Sequence, residues 1–470
     1  MDRLRILITN NTLANRAGSE LYVRDLAFGL LSQGHHPIAY STILGDVAQE
    51  LRLATVPVIN DLDALAEPPD VIHGHHHLDT MTALLRFPGV PAVSFCHGWL
   101  PWEEIPPRFP RVLRYIAVDQ VCRDRLIYEH GISPARIRLL LNFVDLKRFK
   151  SRSRLPACPQ RALIFSNQAN EHTHGPAIRE ACARFGIQLD VIGLSTGNVC
   201  ARPEEVLGNY DIIFAKARAA LEGLAVGAAV ILCDAVGAGP MVTTENMDHL
   251  RPLNFGIRTL RNSVTPDALA QELARYDPSD AAEVSQRIRA TAGRDEAVEE
   301  LLSVYRQVIA EYQDLPEYDV ITEERAAAAY LRILAPRLKE RDQATQSLES
   351  QLIEMKHTLQ GYSSEIQENE RIRLAQEEAI ASLQDQVAGA LSRSELLARQ
   401  LAKKEQEVQT LFAELATRNA QLERITNSLG WRMLRLYGPI KYRFVLPVYH
   451  RIAGLFKATS KRAKQDQHSA

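Results

Sequence analysis

Apolar residues fall in short blocks through the first 275 positions of the chain. "LRILITN" is an apolar run closed by polar residues. "GSELYVRDLAFGLLSQGH" then sets Leu21, Leu26, Leu30 and Leu31 on one face of a helix that Gly34 ends. "PIAYST", "DVIHGHH", "VPAVSFCHG", "RYIAVD" and "IRLLLN" read as further strands. Helical stretches, such as "LDTMTALLRF" and one ending near Gly131, lie between them. Strands alternating with helices predict an open parallel sheet covered on both faces. After the polar, proline-bearing "KSRSRLPACPQ", the pattern restarts. It gives "ALIFSN", a helix over 175–185, "LDVIG", "YDIIFA", a helix through Glu222 and "AAVIL". A long helix is expected over 281–312, placed to return across both sheets.

From Leu348 the period changes. Leu348, Leu352, Met355, Leu359, Tyr362 and Ile366 step by four and three, and the same register runs through Ile380, Leu383, Val387, Leu397, Leu401, Leu411, Leu415, Leu422 and Leu429. A sustained 3.5-residue repeat predicts a coiled coil over 348–429. As one continuous rod it would be about 120 Å long. Polar residues interrupt the seam at Asn369, Arg373, Gln376, Ser394, Lys404 and Arg418. Beyond it, Gly430 to Lys464 carries nine Lys or Arg and no acid, with Trp431, Tyr437, Tyr442, Phe444, Tyr449 and Phe456 interleaved. That mixture fits contact with an anionic membrane surface, or docking of a protein partner. Pro439 and Pro447 oppose one continuous helix there. The expected division is 1–150 and 151–315 for two α/β domains, 316–347 for a helical linker, 348–429 for the coil and 430–470 for the tail.

Composition adds limits. A net charge of −2 over 470 residues gives no sign of nucleic-acid binding. Six scattered cysteines show no metal or disulfide spacing, which fits a reducing cytosol. The first residues enter a strand directly, without a signal peptide, and no run of about 18 apolar residues occurs. The expected setting is cytoplasmic, peripheral at a membrane through the tail.

Candidate chemistry falls at strand ends. Gly18 opens the first helix, where free N–H groups suit an anion, beside Glu20. His97 follows an apolar strand, at the edge where parallel sheets place ligands. His73, His75, His76 and His77 cluster after another strand. A polar rim to the cleft explains them better than a metal, since only Asp79 is near as a carboxylate. Lys216 and Arg218 stand at the front of the Glu222 helix, the end that disfavours cations unless an anion is bound. A diphosphate suits them, and the Glu222 carboxylate suits the vicinal hydroxyls of a ribose. Gly237 and Gly239, in "DAVGAGPMVTTEN", form a turn or a loop closing on phosphate.

Together these blocks resemble the family 4 glycosyltransferases, which are retaining enzymes of GT-B fold. "AGSE" stands for the family's Gly-Gly-x-Glu loop, with Ala17 in place of the first Gly. "VPAVSFCHG", "IAVDQVCRDRL…GISPARIRLLLNFVDLKRF" and "LEGLAVGAAVIL" match its later blocks in order. The resemblance spans about residues 4–275. It implies that Glu222 holds a nucleotide ribose, His97 lies beside the donor sugar and Gly18 contacts phosphate. It also implies a nucleotide-sugar donor with no resident cofactor or metal. Two departures stand out. Phe214 occupies the place of a second Glu, and "SNQANEHTHG" replaces the usual Arg and Lys. The rod and tail look like those of bacterial surface-polysaccharide enzymes, implying a glycan or lipid-linked acceptor, homo-oligomers and inner-membrane contact. The competing expectation is an inactive GT-B module serving as a coiled-coil scaffold. A nucleotide-sugar epimerase ranks third.

Overall fold

The computed structural model describes residues 3–315, 319–379 and 387–427. The basic aromatic tail at 430–470 and the seam positions Ile380, Leu383 and Leu429 lie outside the described residues. The chain divides into two compact units, Met1–Glu323 and Glu324–Ala470.

The first unit has two α/β domains. The first contains β1 (Arg5–Thr9), α1 (Gly18–Ser32), β2 (His36–Tyr40), α2 (Asp46–Leu53), β3 (Val58–Ile59) and β4 (Val71–His75). It continues with α3 (His77–Arg86), β5 (Ala92–Cys96), β6 (Val112–Ala117), α4 (Gln120–Asp124) and β7 (Ile137–Leu139). Among the described residues its strands form one parallel sheet in the order β3-β2-β1-β4-β5-β6-β7. Ile6, Leu7 and Ile8 are all fully buried, which explains why β1 is a continuous apolar run rather than an alternating one.

The second domain contains β8 (Arg161–Phe165), α5 (Gly175–Arg184), β9 (Gln188–Ile192), α6 (Pro203–Val206), β10 (Ile212–Ala215), α7 (Ala217–Val226) and β11 (Ala229–Asp234). After them come β12 (Gly237–Met241), α8 (Met247–Leu250), α9 (Pro266–Leu273), α10 (Pro278–Thr291) and α11 (Arg294–Gln313). The sheet order is β12-β11-β10-β8-β9, parallel except for β12. Strand order reverses between β1 and β4 in one sheet and between β8 and β10 in the other. Ligands of open α/β sheets bind at such reversals, beyond the carboxyl ends of the strands. This is the two-sheet GT-B class of fold.

Three features differ from the sequence reading. The short elements α2 and β3 escape it, having few residues to carry a period. The segment around Gly239 is not a loop but strand β12, antiparallel to β11. A Cβ on Gly239 would lie 2.7 Å from the Thr259 carbonyl oxygen, so close backbone approach explains that glycine without a phosphate. The helix expected over 281–312 is two helices, broken at Ala292 and Gly293. The break docks on the interdomain segment: Val144 N–H donates to Ala292 O at 2.9 Å, and Arg294 N–H to Val144 O at 3.0 Å. α11 then returns to the first domain against α1, where Gly29 permits the approach; a Cβ there would lie 2.7 Å from Val298 Cγ2.

The second unit contains α12 (Val320–Ala379), whose first residues belong to the first unit, and α13 (Val387–Asn427). α12 runs through residue 348 without a break, so residues 320–347 of the expected linker and the first part of the seam are one helix. The single continuous rod does not form. Leu348, Leu352 and Met355 share a groove with Leu411, Leu415 and Arg418. Leu359 and Ile366 share another with Leu397 and Leu401. The Lys356 ammonium sits 4.9 Å from the Phe412 ring centre. Rising numbers on α12 meet falling numbers on α13, so the helices are antiparallel and the seam closes within one chain. A 3.5-residue repeat specifies a partner face; it does not say which segment supplies it.

Candidate functional site

The β1/β4 reversal of the first sheet carries the histidines. Parallel β4 and β5 pair His73 with Val93 and His75 with Phe95, so these four side chains share a face. His97 continues that face just past β5. Phe95 stacks on His73 with ring centres 4.2 Å apart, and His97 stacks on His75 at 4.6 Å. His75 Nδ1 lies 2.6 Å from His97 Nε2, and His73 Nε2 lies 2.8 Å from His75 Nε2. The expected polar rim is therefore partly a buried interior: His73 and His75 are fully enclosed. Burial lowers the basicity of both well below the ordinary value and brings His97 down to about 3. Among the described residues no group of three or more His, Cys, Asp or Glu is placed to hold a metal.

His76 turns the chain from β4 into α3 at φ 61°, a conformation that L residues rarely adopt. Its Nδ1 accepts from Asn11 N–H at 3.2 Å, and its Nε2 lies 3.7 Å from Glu104 Oε1. Glu104, which the sequence did not flag, accepts the His97 N–H at 2.8 Å. It thereby fixes the loop behind the imidazole. Burial pushes its carboxyl up to about 7.

The opposing edge belongs to α7. Lys216 is the residue before the helix, and its ammonium pairs with the buried Asp234. Arg218 donates through Nε to Glu222 Oε1 at 2.8 Å and also pairs with Asp25 on α1. α7 thus reaches across to the first domain. Asp25 is fully buried and also receives Arg24 Nε at 2.8 Å and Arg148 at 3.1 Å; Arg148 continues to Glu204 at 2.9 Å. Burial alone would raise Asp25, but Arg218, Arg24 and Arg148 outweigh it and bring it down to about 2. Burial also raises Glu222, with Arg218 opposing. One turn before Asp25, the Tyr22 ring packs edge-on to His97 at 4.8 Å, and its buried hydroxyl has no partner among the described residues. Arg218 is close enough to lower the basicity of His97.

The structure thus brings His97, Arg218 and Glu222 into one cluster with Tyr22 and Asp25. Lys216 sits on a separate pair toward Asp234. Gly18 opens α1 with nothing within 4 Å of an added Cβ, so the space beside it is open. Gly239 lies in β12, as described above. Phe214 is fully buried in the core between the second sheet and α5, packed with Ile164 and Ile231. A carboxylate there would sit in apolar surroundings, not in the cleft. His174, from the divergent "SNQANEHTHG" stretch, is buried before α5, near Asp234 and Lys216, and neither ring nitrogen has a partner among the described residues.

A family model described as Glycosyltransferase Family 4 matches residues 16–148. Among curated proteins none matches the chain. The fold is similar to that of a glycosyltransferase from Rickettsia africae ESF-5, at 15% identity and a TM-score of 0.49 over 66% of this chain and 99% of that one. It is also similar to Anabaena Alr3699/HepE, solved with UDP and glucose, at 14% identity and a TM-score of 0.47 over 65% and 100%. A putative UDP-N-acetylglucosamine 2-epimerase from Listeria monocytogenes shares 13% identity at a TM-score of 0.43 over 68% and 100%. Likeness at this level assigns no role to any residue. Among the described residues no helix is long and apolar enough to cross a membrane.

Proposed function

We propose that the chain is a glycosyltransferase. It takes a sugar from a nucleotide-diphosphate donor and passes it, with retention, to a glycan or lipid-linked acceptor of a bacterial surface polysaccharide. The observation that carries the reading is the convergence of two chemically equipped sheet edges: His97 after β5 faces the cluster of Arg218 and Glu222 on α7. The family match over 16–148 supports it from the sequence side. In this reading Glu222 holds the ribose, His97 hydrogen-bonds the donor sugar, and the space beside Gly18 admits phosphate or sugar. Lys216, the α7 N–H groups and Arg218 stabilise charge on the departing diphosphate. Arg218 must then exchange part of its contact with Asp25 and Glu222 for phosphate oxygens. Self-association of the chain, through a surface other than the α12–α13 seam, and membrane contact through 430–470 complete the reading.

One observation favours a second reading, an inactive GT-B module that scaffolds an assembly complex. Lys216 and Arg218 already have carboxylate partners, and Glu222 is only 5% exposed with its carboxylate on Arg218. Calorimetric titration with a panel of nucleotide sugars separates the two. Binding that Glu222→Gln weakens, with transfer or donor hydrolysis lost in His97→Ala, supports the enzyme. Absence of binding by every donor supports the scaffold. Anomeric analysis of the product tests retention.

A further inference from the structure

Four side chains form one hydrogen-bonded row inside the first domain. The Tyr305 hydroxyl, on α11, meets His73 Nδ1. His73 Nε2 meets His75 Nε2 at 2.8 Å, and His75 Nδ1 meets His97 Nε2 at 2.6 Å. Each ring nitrogen of His73 and His75 is used once, and Tyr305, His73 and His75 are all 0% exposed. Burial keeps the three imidazoles neutral near pH 7.

A neutral imidazole carries one N–H, so the row has a direction, and placing one proton places the rest. If His97 donates to His75, every N–H points toward Tyr305. The tyrosine oxygen then accepts, and its own buried O–H has no acceptor, because His73 is its one hydrogen-bond partner among the described residues. An unmet buried donor bears its full desolvation cost. In the opposite direction Tyr305 donates to His73, His73 to His75, and His75 to His97. The donor left over is then the Nδ1–H of His97, which is only partly buried, so no fully buried donor in the row goes unmet.

We propose that Tyr305, His73 and His75 are positioning residues that fix His97 as its Nδ1–H tautomer. The Nδ1 atom of His97 has no partner among the described residues, so the row leaves it as a donor for an oxygen acceptor on a ligand. For a sugar hydroxyl as that acceptor, the proposal rests on the glycosyltransferase reading; the tautomer itself does not.

The test is the proton location. Two-dimensional 15N–1H multiple-bond spectra of the full chain, labelled at histidine, read each ring nitrogen near pH 7, with His97→Gln assigning the signal. The expected result is a pyrrole-like Nδ1 and a pyridine-like Nε2 at His97. His75→Gln still offers an amide N–H to His97 Nε2 and is expected to keep this pattern. His75→Leu removes the donor and is expected to shift His97 toward the Nε2–H form that free neutral imidazole prefers. A pyridine-like Nδ1 in the unmodified chain overturns the proposal, and so does a pattern indifferent to His75→Leu in a protein that still melts cooperatively. Nucleotide-sugar titration of the same samples is a separate readout. Its failure would remove the glycosyltransferase reading and leave the tautomer result standing.

Discussion

Arg218 on α7 and Asp25 on α1 form an ion pair that ties the second domain to the first, and the same guanidinium holds Glu222. Asp25 keeps Arg24 and Arg148 if Arg218 is lost, whereas Glu222 is left buried without that cation. Arg218→Ala is therefore expected to cost on the order of 3 kcal/mol. Adding Glu222→Ala should cost less than the sum of the single changes, with a coupling of about 0.5–3 kcal/mol. Urea unfolding of the four proteins measures this. A coupling near zero would show that the contact carries no energy.

Acid should weaken the fold. His76 is held down at about 4 and His97 at about 3, with His73 and His75 also well below the ordinary value, in each case chiefly by burial. Unfolded histidine titrates near 6.5. Between those folded values and 6.5 the unfolded chain binds protons that the folded chain refuses, so stability falls as pH drops through that window. Each group contributes about 1.4 kcal/mol per pH unit. Thermal melts from pH 7.5 to 5 should show the fall, and it should be shallower in His76→Asn, because Asn does not titrate and keeps the positive-φ turn.

Glu104 acts in the opposite sense. Its folded carboxyl, pushed up by burial to about 7, keeps a proton that the unfolded chain loses near 4.5. Stability from this group therefore falls as pH rises between those values. Glu104→Gln still offers the His97 N–H an acceptor but cannot ionise. Relative to the unmodified protein it should gain on the order of 1–3 kcal/mol between pH 5 and pH 8. The same stability difference at both pH values would count against a buried, titrating Glu104.

The hairpin is open to a covalent test. Leu352 and Leu415 line one groove. On one continuous helix they would be about 95 Å apart. Leu352→Cys combined with Leu415→Cys should oxidise to a species of monomer mass on a non-reducing gel. Dimers as the sole linked product would mean that the seam pairs between chains.

The α/β alternation was legible because buried parallel strands are continuous apolar runs, and each helix between them shows one apolar face. The place of His97 at the carboxyl end of a strand was legible because it directly follows the apolar run "VPAVSFC". The clasp was not. Asp25 and Arg218 are 193 positions apart, and nothing local marks either as the other's counter-ion. His73 and His75 read as a solvent-facing rim because their cover, Tyr305, arrives 232 residues later on a helix whose own break at Gly293 was unreadable. The seam from 348 to 429 was legible as a repeat, but periodicity cannot distinguish a partner in another chain from one further along the same chain.

The antiparallel course of α12 and α13 changes what length means in this chain. In a rod, each added heptad would carry residue 427 about 10 Å farther from residue 324. In a hairpin, matched heptads added to both helices lengthen the arm while the chain still leaves from the end at which it entered. Only an unmatched insertion moves that exit, by sliding one apolar seam along the other. The point along α12 beside which α13 ends is thus governed by register rather than by the number of repeats.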